Sequence, residues 1–188
     1  MRALTLLYTL LLPFALMAQD KNAAAAPKID WVSVEEVQEL VKKSPRPVIM
    51  DVYTDWCGPC RMLAGRTFTD PRVVEFVNKH FYAVKFNAES GDSLTFRGQT
   101  FTNPDHDPSR TQGRNGTHQF TYAIANVNGR IAYPTVVYLD SDLNVLAPVQ
   151  GYFTPEQIEP LFRFFGEGKY KDTAWEAYSK DFKATWTN

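Results

Sequence analysis

Apolar positions along the chain recur with two periods, and these mark out its elements. In VSVEEVQELVKK, Val34, Val37, Leu40 and Val41 fall three and four apart, on one face of a helix. Ser33 stands three residues before Glu36 as in a capping box, Val32 and Val37 are placed as a hydrophobic staple, and Pro45 stops the run. IDW before it reads as a short strand. PVIMDVYT is a continuous apolar run of strand length with one acid, Asp51, in its middle, which suits a strand buried on both faces of a parallel sheet. A helix then opens at Cys57 and runs through Met62 and Leu63. A second covers TDPRVVEFVNKHF, with Asp70 as cap and Pro71 as first residue. YAVKFN is another strand, THQFTYAIANV a helix, and YPTVVYLDSDLNVLAPV two strands joined by a turn from Asp140 to Asn144.

The last long helix begins at Thr154, with Pro155 first and Gln157 completing a second capping box; Pro160 inside it should kink it or remove a hydrogen bond. Beyond it, Trp175, Tyr178 and Phe182 share one face of a short helix that should dock on the domain. Between Ala88 and Gly116 the chain is polar and rich in turn formers, with LTFRGQTF as a small hairpin turning near Gly98. A loop of this length is either functional or a surface excursion. The sum is βαβαβ, an antiparallel strand pair and a closing helix: an α/β fold with a central mixed sheet flanked by helices and right-handed crossovers.

The aromatic content, thirteen Phe, nine Tyr and four Trp in 188 residues, is enough to bury a core without crosslinks, so one domain is expected. The formal net charge of −1, with no dense Lys/Arg cluster, gives no basis for binding nucleic acid or anionic lipid. At the start, Arg2 precedes an apolar run from Ala3 to Ala18 that is short for a bilayer and interrupted by Pro13. It reads as a cleaved secretory signal, with no stable membrane insertion after cleavage. The expected division is a signal over 1–18, a linker over 19–28, a domain over 29–170 with an insertion at 88–116, and a helical extension over 171–188. Export would place the chain where disulfides persist, in a periplasm or outside the cell.

The chain has two cysteines, both in DWCGPCR. As a staple, a Cys57–Cys60 bridge closes so small a loop that it constrains little. As a zinc site, the pair lacks a partner pair, and His80, His106 and His118 are not at ligand spacing. As a redox couple, it has a mechanism. Cys57 lies at a helix start, where unpaired N–H groups and the helix dipole favour a thiolate. Gly58 permits a tight turn, Pro59 presets the first helical turn, and Cys60 is one turn deeper, placed to resolve a mixed disulfide. Trp56 offers a flat apolar surface beside the nucleophile. DSDLN from Asp140 lacks the glycine and the following Glu of a calcium loop, and NGT at Asn115 is a glycosylation sequon.

DWCGPCR after a buried strand, with YPT about 75 residues later, resembles the thioredoxin family over roughly Ile29 to Phe165. The apolar leader and the form of the helix after the cysteines resemble its envelope members. The resemblance implies a thioredoxin fold and a thiol–disulfide oxidoreductase that needs no cofactor beyond the redox-active Cys57–Cys60 disulfide. It implies that Asp51 is a buried proton acceptor for Cys60, that Lys85 partners this acid, and that Pro134 is a cis-proline facing the cysteines. Backbone at that turn would pair with an extended substrate segment. Tyr133 departs from the smaller aliphatic residue common there, and the 88–116 segment is longer than in the minimal fold. The expected function is reduction of disulfides in protein substrates, with a membrane-bound or other thiol donor supplying electrons and with Trp56, Gly58, Pro59, Tyr133 and Pro134 as the docking surface. The alternatives are an oxidase or isomerase on the same fold, or a binding module with an idle disulfide.

Overall fold

The computed structural model describes residues 26–187. The expected signal and residues 19–25 of the linker lie outside them. In chain order the elements are β1 (Trp31–Val32), α1 (Val34–Lys43), β2 (Val48–Tyr53), α2 (Gly58–Met62), α3 (Pro71–His80), β3 (Tyr82–Asn87), β4 (Leu94–Phe96), β5 (Gln99–Phe101), α4 (Gln119–Ile124), β6 (Thr135–Leu139), β7 (Val145–Gln150), α5 (Pro155–Gly166) and α6 (Trp175–Asp181). A π-helical turn, Leu63–Thr67, continues α2. Among the described residues no helix is long and apolar enough to cross a membrane.

The central sheet runs in the order β1-β3-β2-β6-β7; β1, β3 and β2 are parallel, and β6 and β7 are antiparallel to their neighbours. This is the mixed sheet of the thioredoxin fold. Strand alternation sorts its residues into two cores. Val48, Met50 and Val52 of β2 pack with Val37 of α1, Val84 and Phe86 of β3, and Phe120 of α4. Ile49 packs the other way with Leu63, Val136 and Tyr138, beneath Val73, Phe76 and Val77 of α3 and Phe162 of α5.

The helix ends are as the sequence implies, with one difference. The Ser33 hydroxyl accepts from Glu36 N–H (3.0 Å) and the Asp70 carboxylate from Arg72 N–H (2.9 Å), but only Thr154 and Gln157 complete a reciprocal box. Helix α5 runs through Pro160 to Gly166 without a break, so that proline costs a hydrogen bond and does not end the helix. Asp140 accepts from the N–H groups of Asp142 and Asn144 (2.9 and 2.8 Å), which closes a hairpin turn.

Two segments are more deeply built in than their sequences suggest. The first half of the 88–116 insertion is built into the core, while residues 104–114 run mostly over the surface. Arg97 and Gly98 both have positive φ (51° and 79°), which the tight β4–β5 turn requires. The hairpin then buries Leu94, Phe96 and Phe101 around Phe120. Gln38 of α1 pins it, donating to Thr95 C=O and accepting from Arg97 N–H (both 2.8 Å).

The second segment is the C-terminal tail. Trp175 and Tyr178 of α6 pack on Phe164, with Phe182 against Tyr178. Beyond the helix, Trp186 is 7% exposed and meets Phe76 and Phe162 edge-on. Glu159 of α5 is fully buried and receives the tail. Its carboxylate accepts from Thr185 and Trp186 N–H (both 2.9 Å), from the Thr185 hydroxyl, and from the Arg163 guanidinium (2.8 Å). Burial alone would push this carboxyl up, but the donors outweigh it and hold it below its usual value. Trp186→Ala is therefore expected to destabilise the fold by about 3 kcal/mol, a cost in the range of buried aromatic truncation. Urea unfolding should show a lower midpoint with an unchanged slope; an unchanged midpoint would mean the tail is not part of the core.

Candidate active site

Strand β2 ends at Tyr53, and four residues later Cys57 is the N-cap of α2, with Gly58 and Pro59 in the first turn. The Cys57 sulfur accepts the Cys60 N–H (3.1 Å), satisfying one of the unpaired donors of the helix start, and is bonded to the Cys60 sulfur. Arg61 donates to the Asp55 carbonyl (2.9 Å) and braces the turn. Both cysteines are only 4% exposed, so their neighbours shield the sulfurs from solvent.

Asp51 lies on the face of β2 that α2 covers, 2% exposed, and it shares a cleft of about 180 Å³ with Cys60, Thr54 and Lys85. One carboxylate oxygen of Asp51 has no hydrogen-bond partner among the described residues. Burial pushes its pKa up to about 7, against the lowering pull of the Lys85 charge. Lys85 is the register partner of Asp51 across β2–β3, but it makes no ion pair with it. The ammonium is exposed and stands 4.8 Å from the Tyr53 ring centre, so its influence on the acid is through space.

Tyr133 and Pro134, joined by a cis peptide bond, lead into β6. The Pro134 carbonyl is taken by Gly151 N–H (2.8 Å), while among the described residues the peptide groups of Tyr133 have no backbone partner. The Tyr133 ring meets Trp56 edge-on, centroids 6.0 Å apart, so Trp56, Tyr133 and the cysteine turn form one surface.

The insertion also reaches this surface, through residues that sequence reasoning did not single out. Trp56 donates its indole N–H to Glu89 (2.9 Å), and Asn115 donates its backbone N–H to the same carboxylate oxygen (3.1 Å). The Arg114 guanidinium stands 4.9 Å from the Trp56 ring centre. The sequon asparagine is spent inside the insertion, its side-chain amide donating to Asp107 C=O (2.9 Å) and Arg110 C=O (3.3 Å). Nothing periodic marks Glu89 or Arg114; the unusual length of a polar segment was the one available signal. The histidines are also engaged singly. His118 caps α4, its Nδ1 accepting from Phe120 N–H (3.1 Å), and His106 bonds the Glu89 carbonyl (3.1 Å). Among the described residues no group of three His, Cys, Asp or Glu could hold a metal ion.

A mixed sheet with a paired CxxC at a helix start, a buried acid sharing a cleft with Cys60 and a cis-proline leading into β6 has the features of a thioredoxin-fold site. The chain belongs to the thioredoxin-like domain family, whose profile matches residues 34–166. Relatives match over short stretches. The thioredoxin of Allochromatium vinosum is 52% identical over 33 residues, 18% of this chain and 31% of its own. The thiol:disulfide interchange protein DsbD of Pectobacterium atrosepticum is 34% identical over 47 residues, 25% of this chain and 8% of its own. The chain thus spans under a third of either relative. Among solved structures, a thioredoxin-fold protein from Helicobacter pylori aligns over 72% of this chain and 83% of its own, with a TM-score of 0.52 and 18% identity, a likeness of fold.

The raised Asp51 pKa makes stability depend on pH in a definite direction. Between about pH 4 and 7 the folded chain keeps this proton while the unfolded chain has lost it, so stability falls as pH rises through that window. Asp51→Asn removes the ionisation. It should match the wild type near pH 4 and exceed it at pH 8, by at most about 4 kcal/mol. Urea unfolding at pH 4, 6 and 8 tests this; a difference independent of pH would show that Asp51 ionises at its ordinary value.

Proposed function

We propose that the protein is an exported thiol–disulfide oxidoreductase that reduces disulfides in protein substrates. The observation that carries this reading is the Cys57–Cys60 pair at the start of α2, sharing a cleft with a buried, unpaired Asp51. The apolar run from Ala3 to Ala18 supports export, and the Gly-Pro dipeptide between the cysteines supports a reductant.

The reduced protein begins the cycle. Cys57, as thiolate at the helix start, attacks one sulfur of the substrate disulfide; that S–S bond breaks, and the other substrate sulfur leaves as a thiolate that takes a proton. Cys60 then gives its proton to Asp51 and attacks the Cys57 sulfur. The Cys57–Cys60 bond forms, the mixed disulfide breaks, and the second substrate sulfur leaves reduced. Two electrons pass from protein to substrate, and a dithiol donor must return them. Lys85 moderates the Asp51 pKa, which at about 7 suits a group that takes and releases one proton per cycle. Trp56, Gly58, Pro59 and Tyr133, with the turn at Pro134, form the docking surface. The unpaired Tyr133 peptide groups supply the edge on which an extended substrate segment adds.

Two measurements test the reading. Cys60→Ser, mixed with a disulfide substrate, should accumulate a mixed disulfide through Cys57; failure to do so overturns the assignment of roles. The potential of Cys57–Cys60 against glutathione or dithiothreitol buffers should lie near about −270 mV; a value near about −120 mV would make the protein an oxidant.

A further inference from the structure

The exchange steps above involve no residue of the insertion, yet the insertion is clamped to Trp56, the residue next to Cys57. We infer that Glu89 is a positioning residue for polypeptide substrates, holding Trp56 and the 88–116 insertion together as one wall of the substrate-binding site. The inference rests on the oxidoreductase reading above and adds to it what distinguishes a polypeptide disulfide from a small one.

Glu89 ties two sequence-distant pieces at one atom. A single carboxylate oxygen accepts both the Trp56 indole N–H and the Asn115 backbone N–H. The residue is itself held, its N–H donating to the Asn87 side chain (2.9 Å) and its carbonyl bonded by His106 (3.1 Å). Arg114, next to Asn115, covers the Trp56 ring from the insertion, and Tyr133 meets that ring edge-on. Trp56 is therefore fixed by contacts with residues far from the cysteine turn in sequence. Between it and the insertion lies an open polar cleft of about 470 Å³, with Asp55 and Asn87 on one wall and Arg110 and Gln112 on the other.

A polypeptide entering Cys57 along the Tyr133 backbone must also run past Trp56, so residues flanking its cysteine meet this cleft. A small disulfide such as oxidised glutathione offers little chain to do so. Loss of the Glu89 clamp loosens the Trp56 ring and the Asn115 end of the insertion, and each polypeptide encounter must then order them again. The cost falls on binding and not on the exchange at sulfur. Both clamp bonds end on one oxygen, so a glutamine carbonyl can accept both.

The test compares the intact chain with Glu89→Ala and Glu89→Gln, using insulin as the polypeptide disulfide and oxidised glutathione as the small one, with the Cys57–Cys60 potential measured for each protein. Glu89→Ala is expected to raise the ratio of KM for insulin to KM for glutathione about tenfold, with kcat for insulin and the potential unmoved. Glu89→Gln should restore the ratio to within about twofold of wild type. An unchanged ratio in Glu89→Ala, an equal loss on both disulfides, a shifted potential, or Glu89→Gln behaving as the alanine variant would each overturn the inference. If the wild type reduces neither disulfide, the oxidoreductase reading falls and this inference with it. If the wild type is active and Glu89→Ala matches it, this inference alone falls.

Discussion

The two-residue alternation of β2 is the constraint on which the site depends. Val48, Met50 and Val52 face α1, which leaves Ile49 and Asp51 facing the side where α2 and α3 pack. A slip of one residue would put the acid under α1, away from the sulfurs, and expel the valines from their core. The same strand delivers Cys57 four residues after its end, at the start of the helix that roofs Asp51. Strand register and one short turn thus bring thiol and carboxyl to a shared cleft, with no contact having to be made at long range. Burial then raises the pKa of the acid, since a carboxylate under a helix and between two strands has little water to stabilise its charge.

A sheet with both faces covered must find apolar cover for each, and here each face recruits a segment outside the βαβαβ plan. The β4–β5 hairpin places Leu94, Phe96 and Phe101 on one side, and the tail places Trp186 and the α6 aromatics on the other. Such aromatic contacts contribute more than the surface hydrogen bonds around them, because an exposed bond largely replaces one to water. The buried Glu159 is the exception. Its carboxylate would be costly if unpaired, and it is tolerated because the tail supplies backbone N–H groups and Thr185 while α5 supplies Arg163. This carboxylate fixes where the tail lies, and the aromatic rings supply the apolar contact once it is there.

Most of the fold was legible because its signals are local. Val34, Val37 and Val41 declared the buried face of α1, Asp70 and Pro71 the start of α3, and the apolar run 48–53 a strand covered on both faces. The reciprocal box at Ser33 failed because only one of its two bonds forms. Pro160 sits inside α5 as expected, removing one bond from a helix that tertiary packing holds. Trp186 and Glu159 were not legible. A single tryptophan near the end of a chain has no periodicity, and an acid between apolar neighbours on a helix reads as solvent-facing until its partners from the tail are known.

The site divides in the same way, for a chemical reason. Intramolecular disulfide exchange needs its two sulfurs at fixed short spacing, one helical turn apart. A sequence displays such spacing directly, which is why Cys57 and Cys60 could be named from it, while Asp51 was implied by the resemblance to the thioredoxin family. Lys85, implied by the same resemblance, lies opposite Asp51 in register and acts on it through space, with its ammonium beside the Tyr53 ring. Other contacts are assembled from distant positions: beside the cysteine turn Glu89 meets Trp56 across 33 residues of chain, and on the α1 side Gln38 reaches Arg97 across 59. No local pattern encodes those meetings, because each depends on where two independently packed segments come to rest. The cysteine pair is therefore legible as a local motif, while the Glu89–Trp56 contact beside it depends on how the insertion packs.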